Sequence, residues 1–235
     1  MSSMFSLKSK TAVVTGAARG NGKAIADGLR DAGATVIGLD TLVSENCLEC
    51  DITNPDNVID CLNGYGTIDI LVNNAGVSLP CDFLDYSEDD WDKTYEVNVK
   101  APFKMMQIVG ERMKSVGGSI INITSLNSEM AFPNNPAYVA SKGALKQLTK
   151  SAALDLGHYG IRANNVGPGY FKTEMTRVSW EDASKNKERA EKTILNRWGD
   201  PNDLVGVVVF LSSDASQYIT GQDIYVDGGW LIKGL

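Results

Sequence analysis

Histidine and clustered positive charge are both scarce in this chain. His158 is its one histidine, no run of basic residues exceeds two, and the formal net charge is −7. A surface that binds nucleic acid needs a clustered basic face to neutralise phosphates. The composition therefore argues against a nucleic-acid partner.

Long apolar runs are also missing. Residues 1–10 have no apolar core of the kind found in secretory signals, and no stretch approaches the roughly 18 apolar residues of a membrane span. We expect a soluble, cytoplasmic protein with no membrane partner.

Cysteine is present but sparse. Cys47 and Cys50 form a C-x-x-C pair, which can indicate a redox or metal site, and Cys61 and Cys81 complete the set of four. There is no second C-x-x-C, and His158 is remote in sequence. Because a reduced cytosolic cysteine usually behaves as a small apolar residue, the sequence predicts no metal site.

Strand-like apolar runs alternate with helical patterns along most of the chain. That alternation is typical of βαβ units, in which helices cover both faces of a parallel sheet. With 43% hydrophobic content in 235 residues, we expect one α/β domain over residues 1–235, a Rossmann-like doubly wound parallel sheet. The clearest strands are residues 11–15, 35–39, 68–73, 119–124, 162–166 and 223–226, and the clearest helices are residues 23–31, 91–114, 137–156 and 202–212.

Two segments depart from this regular pattern. Only ten residues, 41–50, separate Asp40 from Asp51, and a parallel crossover normally takes a dozen or more, so we expect a loop there. Residues 170–198 are rich in charge and carry two tryptophans. They are predicted to form a lid over substrate, with a plain pair of surface helices as the alternative.

Three glycines mark a turn between a predicted strand and a predicted helix. Gly16, Gly20 and Gly22 follow the spacing G-x-x-x-G-x-G, which lets the backbone approach a pyrophosphate at a helix N-terminus. Asp40 ends the next strand, where a carboxylate accepts hydrogen bonds from ribose hydroxyls and repels a 2′-phosphate, so it predicts NAD. Arg19 could pair with that phosphate and favours NADP, but Asp40 carries more weight. The other interpretation of Asp40 is a helix or turn cap.

A tyrosine and a lysine stand one helical turn apart. Tyr138 and Lys142 must project from the same face of a helix. A phenol with a reference pKa of about 10 becomes a better acid or base at neutral pH when a fixed cation favours the phenolate. The pair predicts proton-transfer chemistry, although many surface helices carry the same two residues.

Six motifs occur in a specific order along the chain: Thr15-Gly16-x-x-x-Gly20-x-Gly22, Asn73-Asn74-Ala75-Gly76, Asn98, Ser125, Tyr138-x-x-x-Lys142 and Pro168-Gly169. In these motifs and their order, the chain resembles the short-chain dehydrogenase/reductase family along essentially its whole length.

The resemblance implies a catalytic role for four side chains. Tyr138 would exchange a proton with the substrate oxygen, and Lys142 would lower the pKa of Tyr138 and bind the nicotinamide ribose. Ser125 would hydrogen-bond the reacting oxygen, although a strand-end cap is its other interpretation. Asn98 would hold a water that links Lys142 to solvent.

The resemblance also implies a set of cofactor contacts. Asn21 and Phe171 depart from the family pattern, in which both positions are usually aliphatic, so Asn21 could contact a phosphate or ribose and Phe171 could shape the pocket. The implied cofactor residues are Gly16, Arg19, Asn21, Gly22, Asp40, Asp51, Ile52, Asn74, Ala75, Gly76, Tyr138, Lys142, Pro168, Gly169, Phe171 and Thr173.

The expected reaction is reversible hydride transfer between NAD and a secondary alcohol or ketone. Residues 172–177, 197–201 and 226–230 resemble the branch of the family that acts on gluconate-type sugar acids and polyols. Arg177 or Lys172 could pair with a substrate carboxylate, or each could be a solvated surface charge.

Two other functions are weighed against this one. A 3-oxoacyl thioester reductase would prefer NADPH and a basic surface, so Asp40 and the acidic balance count against it. A non-catalytic NAD-sensing protein would have an incomplete catalytic set, whereas all four residues are present. The resemblance further implies a homotetramer or homodimer built partly on the long helices 91–114 and 137–156.

Overall fold

Seven parallel strands form one sheet in the part of the chain that the computed structural model describes, residues 3–233. The ends of the predicted domain, residues 1–2 and 234–235, lie outside the described residues. The strand order is β3-β2-β1-β4-β5-β6-β7. The strands are β1 Thr11–Thr15, β2 Thr35–Asp40, β3 Cys47–Glu49, β4 Ile70–Asn73, β5 Gly118–Ile123, β6 Ile161–Pro168 and β7 Asp223–Val226.

Helices pack on both faces of this sheet, because alternate residues of a strand point to opposite sides. On β1, Val14 belongs to a core cluster with α1 and α8, whereas Val13 belongs to a second cluster with α2, α4 and α5. The helices are α1 Gly20–Asp31, α2 Pro55–Leu62, α3 Glu88–Tyr95, α4 Ala101–Met113, α5 Pro136–Leu156, α6 Arg177–Trp180, α7 Ala183–Glu191, α8 Val205–Ser212 and α9 Trp230–Lys233. The predicted doubly wound α/β fold is confirmed.

The region after β2 contains two elements that were not predicted. Residues 41–46 connect β2 to β3 without a helix, as expected, but the short edge strand β3 then pairs Cys47 with Gly38. Helix α2 follows, with Pro55 in its first turn and Asn54 accepting hydrogen bonds from backbone N–H groups. Both elements are short, and β3 has no apolar alternation that would reveal it.

The predicted helix at residues 91–114 is not regular. A π-helical turn, Glu96–Lys100, separates α3 from α4. Such turns displace side chains from the usual helical register and are common at functional sites. This one carries Asn98.

Residues 170–198 contain the helix pair that was the alternative to a lid. A 3₁₀ turn, Glu174–Thr176, leads into α6, and α7 follows. The Asn186 side chain donates to the Trp180 carbonyl at 2.6 Å, and the Trp198 indole donates to the Asn186 carbonyl at 3.0 Å. The segment is therefore folded on itself.

No helix among residues 3–233 is both long enough and apolar enough to cross a membrane.

Candidate active site

The predicted catalytic residues lie near the carboxyl ends of the central strands. Ser125 follows β5, Tyr138 and Lys142 are on α5, and Asn98 is in the π-helical turn before α4. The carboxyl edge of a parallel sheet is where ligands bind in folds of this kind.

Lys142 is almost completely buried, with 4% of its surface exposed. Its Nζ donates to the Ile123 carbonyl at the end of β5 at 2.8 Å and lies 5.6 Å from the centroid of the Tyr138 ring. Burial lowers the pKa of Lys142 from 10.5 to about 8. The helical spacing therefore does bring the two side chains together, at the top of β5.

The pKa of Tyr138 differs from the sequence-based expectation. Burial raises it above 10.0, while the neighbouring Ser125 hydroxyl opposes that rise. Lys142 was expected to lower it, but Nζ lies over the ring face and bonds to Ile123. The expected direction is not found, because burial penalises the phenolate and the group that opposes the rise is the Ser125 hydroxyl rather than Lys142.

Asn98 is fully buried and binds the backbone beside the nucleotide motif. Its Oδ1 accepts from Val77 N–H and its Nδ2 donates to the Val77 carbonyl, both at 2.9 Å, and Nδ2 also lies 3.1 Å from Ser141 Oγ. A Cβ placed on Gly76 would be 3.2 Å from Asn98 Oδ1 and 3.6 Å from Lys142 Nζ. Asn98 and Lys142 therefore both border Gly76.

Ser125 also has the capping contacts that were its alternative interpretation. Its Oγ accepts from Asn127 N–H and donates to Asn127 Oδ1, both at 3.2 Å, at the start of a 3₁₀ turn. A hydroxyl has one donor and two acceptor sites, so these contacts leave acceptor capacity. Capping fixes where the hydroxyl stands, next to Tyr138.

The glycine loop is closely packed at Gly16 and Gly22, where there is no room for a side chain. Gly16 has a φ of +65°, and a Cβ on Gly22 would lie 1.9 Å from the Gly16 carbonyl oxygen. Asn74 Nδ2 donates to the carbonyls of Thr15 and Gly16 at 3.0 and 3.1 Å. Asn74 thus holds the loop in shape, while Ala75 donates its N–H to Thr15 Oγ1 at 3.1 Å.

The N-terminus of α1 fits an anionic group. Arg19, at the N-cap, makes no side-chain capping bond and is exposed. The Oδ1 atom of Asn21 is buried and has no hydrogen-bond partner within residues 3–233. Uncapped N–H groups and the helix dipole favour phosphate, whereas Asn21 Oδ1, as an acceptor, needs a ligand group that donates, such as a hydroxyl.

Asp40 is partly buried at the end of β2, as predicted. Its Oδ2 accepts from Ala18 N–H and its Oδ1 from Leu42 N–H, both at 3.0 Å. The capping interpretation is therefore also correct. Each carboxylate oxygen keeps a further acceptor site, so the contacts do not prevent ribose binding.

The resemblance implies that Asp51 and Ile52 contact the adenine ring, and the structure gives these two residues different surroundings. Asp51 is exposed, and its Oδ1 accepts from Thr53 N–H and Oγ1 at 2.9 and 2.7 Å. Ile52 is 8% exposed and packs in the core with α2. Only Asp51 presents its side chain to solvent.

The segment after β6 approaches the glycine loop. Pro168 ends β6, and the Gly169 N–H bonds to the Val226 carbonyl at 2.9 Å. Thr173 lies across the loop, since its Cγ2 would be 3.5 Å from a Cβ on Gly20. The Phe171 side chain is 3% exposed and packs in a core cluster, but Phe171 also lines a cavity with Tyr170 and Asp227, so its role in shaping the pocket stays a prediction.

Sequence reasoning missed an aromatic group at the carboxyl ends of β5, β6 and β7. Tyr170 is its centre, with ring centroids 5.7 Å from Phe132, 5.4 Å from Trp198 and 4.9 Å from Trp230. The Arg189 guanidinium lies 4.2 Å from the Tyr170 centroid. Only the position of Tyr170 two residues after Pro168 hinted at this group.

The cysteines are free thiols. Cys50 is buried, and burial together with the neighbouring Cys61 raises its pKa to about 12. The C-x-x-C pair therefore does not contain an activated thiolate at Cys50. Among residues 3–233, no three His, Cys, Asp or Glu side chains are grouped so as to hold a metal ion.

Comparison with known proteins agrees with this geometry. A family model described as "Enoyl-(Acyl carrier protein) reductase" matches residues 16–231. Gluconate 5-dehydrogenase of Gluconobacter oxydans is 40% identical over 96% of this chain and 96% of its own length. The 2-dehydro-3-deoxy-D-gluconate 5-dehydrogenase of Escherichia coli is 36% identical over 98% and 99%. The crystal structure of a gluconate 5-dehydrogenase from Burkholderia cenocepacia in complex with NADP and tartrate has a TM-score of 0.92, 34% identity and 98% coverage of both chains.

The chain belongs to the short-chain dehydrogenase/reductase family. The predicted family and the predicted class of oxidoreductase are confirmed.

Proposed function

We propose that this protein is a nicotinamide-dependent oxidoreductase that interconverts a secondary alcohol and its ketone on a sugar acid. The observation that carries the proposal is the convergence of Lys142 and Asn98 on Gly76, beside the Tyr138 ring and directly adjoining the glycine loop. Proton-handling side chains and a nucleotide-binding turn thus form one site.

Four side chains have roles in proton transfer. Tyr138 exchanges a proton with the substrate oxygen, and Ser125, positioned by its capping contacts, donates to that oxygen once its O–H turns away from Asn127 Oδ1. Lys142 holds charge close to the phenol, and Asn98 fixes the backbone that borders Lys142. A bound nicotinamide nucleotide supplies or accepts the hydride.

The uncapped N-terminus of α1 and the cradle of Gly16 and Gly22 would hold the pyrophosphate of that nucleotide. Asn74 and Ala75 would pass beside it, and Pro168, Gly169 and Thr173 would border the nicotinamide end.

We infer that NAD is preferred over NADP. The Asp40 carboxylate at the end of β2 favours free ribose hydroxyls and repels a 2′-phosphate. NADP is the second candidate, favoured by exposed Arg19 and by the Burkholderia cenocepacia relative, which was crystallised with NADP.

The substrate class is supported by relatives named for gluconate and 2-dehydro-3-deoxy-D-gluconate. A 3-oxoacyl thioester reductase fits less well, because Asp40 disfavours NADPH. A non-catalytic NAD sensor also fits less well, because the structure brings the proton-handling side chains together.

Residues 170–198 are proposed to act as a substrate lid, supported by the approach of Thr173 to Gly20. A homotetramer or homodimer is proposed through α4 and α5, which leave the apolar side chains of Phe103 and Leu154 exposed. A cytoplasmic location stays a prediction.

The test is nicotinamide absorbance during incubation with D-gluconate, 2-dehydro-3-deoxy-D-gluconate, glucitol and simple secondary alcohols, with NAD and NADP in parallel. Turnover of a sugar acid above that of the simple alcohols supports the proposal. Reduction of a 3-oxoacyl thioester with NADPH, and of no sugar acid, would replace it with the reductase. Binding of NAD without turnover of any of these substrates would replace it with the sensor.

A further inference from the structure

The positive charges of the lid segment differ in how they are used. Seven basic residues lie between positions 172 and 197, and Lys172 is exposed. Five of the others each lie within 4.0 Å of a carboxylate; these are Arg177, Lys185, Lys187, Lys192 and Arg197. Arg177, which the sequence suggested as a carboxylate ligand, is therefore already paired. Arg189 is the half-buried cation of this segment that has no acidic partner within residues 3–233.

Arg189 is held in one orientation by an aromatic face. Its guanidinium lies 4.2 Å from the Tyr170 ring centroid, a distance typical of a cation–π contact. Its Nε is buried and has no hydrogen-bond acceptor among the described residues. A buried N–H donor without an acceptor is unfavourable, so the position suits a ligand that supplies one.

Tyr170 places this guanidinium at the carboxyl edge of the sheet, the same edge at which the catalytic tyrosine lies. Tyr170 follows Pro168 and Gly169 at the end of β6, and its ring packs edge-on against Phe132, in the loop that leads into α5. The pKa of Tyr138 is raised in part by Tyr170, as expected for neighbouring phenols. The pKa of Tyr170 is raised by burial, and Arg189 opposes that rise. Tyr170 therefore contacts Arg189 directly and also affects the pKa of Tyr138.

We propose that Arg189 binds the carboxylate of the substrate and so makes the site selective for sugar acids over neutral polyols. The inference rests on the proposed function, since it presumes that Tyr138 acts on a hydroxyl of the same molecule. A guanidinium presents Nε and one Nη as a fork that matches a carboxylate, and stacking on Tyr170 holds the fork in advance of binding.

The test compares D-gluconate with glucitol, its neutral polyol counterpart, as substrates or competitive inhibitors of the same enzyme. Arg189→Met is expected to raise KM for gluconate by about 10- to 100-fold, the range of a lost charge-assisted contact, with a smaller change in kcat. KM or Ki for glucitol is expected to stay unchanged. Arg189→Lys keeps the charge but not the forked geometry, so its KM for gluconate is expected to lie between that of the wild type and that of Arg189→Met.

Arg177→Met is the matched control, since it removes an exposed arginine of the same segment that is paired with Glu174 at 3.2 Å. It is expected to leave both substrates unaffected, and NAD titration of each variant checks that the nucleotide site is intact. If Arg189→Met does not fold, Arg189→Lys carries the test through its KM for gluconate.

The outcomes separate this inference from the proposed function. Wild-type protein that oxidises gluconate, with an unchanged KM in Arg189→Met, overturns the inference and leaves the function standing. An equal rise in KM or Ki for gluconate and glucitol also overturns the inference, because Arg189 would then shape the pocket without distinguishing a carboxylate from a neutral group. Wild-type protein that turns over no sugar acid overturns the proposed substrate class itself, and the inference with it.

Discussion

The buried ammonium of Lys142 should make the stability of the protein rise with pH. Its pKa falls from 10.5 to about 8 on folding because burial penalises the charged form. Between these two values the unfolded chain binds more protons than the folded one, so raising the pH stabilises the folded state. Below pH 8 the folded state bears the full cost of the buried charge.

The size of the effect follows from the two pKa values. One pKa unit corresponds to about 1.36 kcal/mol, so the difference between the folded and unfolded pKa values corresponds to about 3 kcal/mol in the free energy of unfolding. About 2.5 kcal/mol of this difference is recovered between pH 7 and pH 10, a range that begins below the pKa of the folded state and ends just below that of the unfolded chain.

The assay is urea unfolding of the wild type and of Lys142→Met at pH 7 and pH 10. Methionine keeps the length of the side chain and does not titrate. The free energy of unfolding of the wild type, minus that of Lys142→Met, should be about 2.5 kcal/mol larger at pH 10. Other groups that titrate in this range, including Cys50, are common to both proteins and cancel in the difference.

Lys104→Met, which removes a half-buried lysine of α4, is the control for the loss of a lysine outside the site and is measured at the same two pH values. If the wild type and Lys142→Met differ by the same amount at pH 7 and pH 10, Lys142 does not have a lowered pKa and the reasoning fails.

Three further predictions concern the nucleotide and proton sites. Asp40→Asn should lower the ratio of kcat/KM for NAD to that for NADP by roughly 10-fold or more, because a like charge no longer faces the 2′-phosphate; an unchanged ratio in steady-state kinetics would assign the choice to another residue. Gly22→Ala should destabilise the protein by about 1–3 kcal/mol in a urea titration and weaken NAD binding, because the added Cβ has no room. Gly143→Ala is the control, since a Cβ at this position in the middle of α5 meets no atom within 4 Å, and it should stabilise the protein by about 0.5–1 kcal/mol in the same titration. Asn98→Ala should cost at least about 2 kcal/mol in unfolding free energy, because it leaves both backbone groups of Val77 without their partner; a loss below about 0.5 kcal/mol would show that water replaces the amide.

The local parts of the site could be predicted from the sequence. The spacing of Gly16, Gly20 and Gly22 between a strand and a helix requires a tight turn, and Tyr138 and Lys142 share a helical face through their separation alone. Their mutual placement beside β5 then follows from the parallel sheet, whose carboxyl ends lie together.

Features that depend on burial could not be predicted in the same way. The pKa of Tyr138 rises because the surrounding core removes water, which no spacing of residues reveals. Phe171 is a pocket residue by its position in the sequence, but the packing of its ring into the core against Gly199 depends on the fold. The π-helical turn at Asn98 does have a signal in the sequence, since Pro102 has no N–H to donate to the Asn98 carbonyl and disfavours a regular helix there.

Arg189 is the clearest example of a residue whose surroundings could not be predicted from the sequence. It lies in a strongly charged stretch, residues 181–192, whose sequence is typical of a solvated helix. Nothing in that pattern distinguishes it from its neighbours, and only the tertiary position of Tyr170 makes it a partly buried, unpaired cation.

The most direct test of the account is the rate of sugar-acid oxidation by Tyr138→Phe, with Tyr65→Phe as a control for removal of a hydroxyl outside the site. The account predicts that Tyr138→Phe lowers kcat/KM by at least about 100-fold, the range of a lost general acid/base, while NAD binding and the Tyr65→Phe rate stay unchanged. If Tyr138→Phe keeps more than about a tenth of the wild-type rate, a threshold well above that range, proton transfer does not depend on the phenol and the proposed mechanism is contradicted.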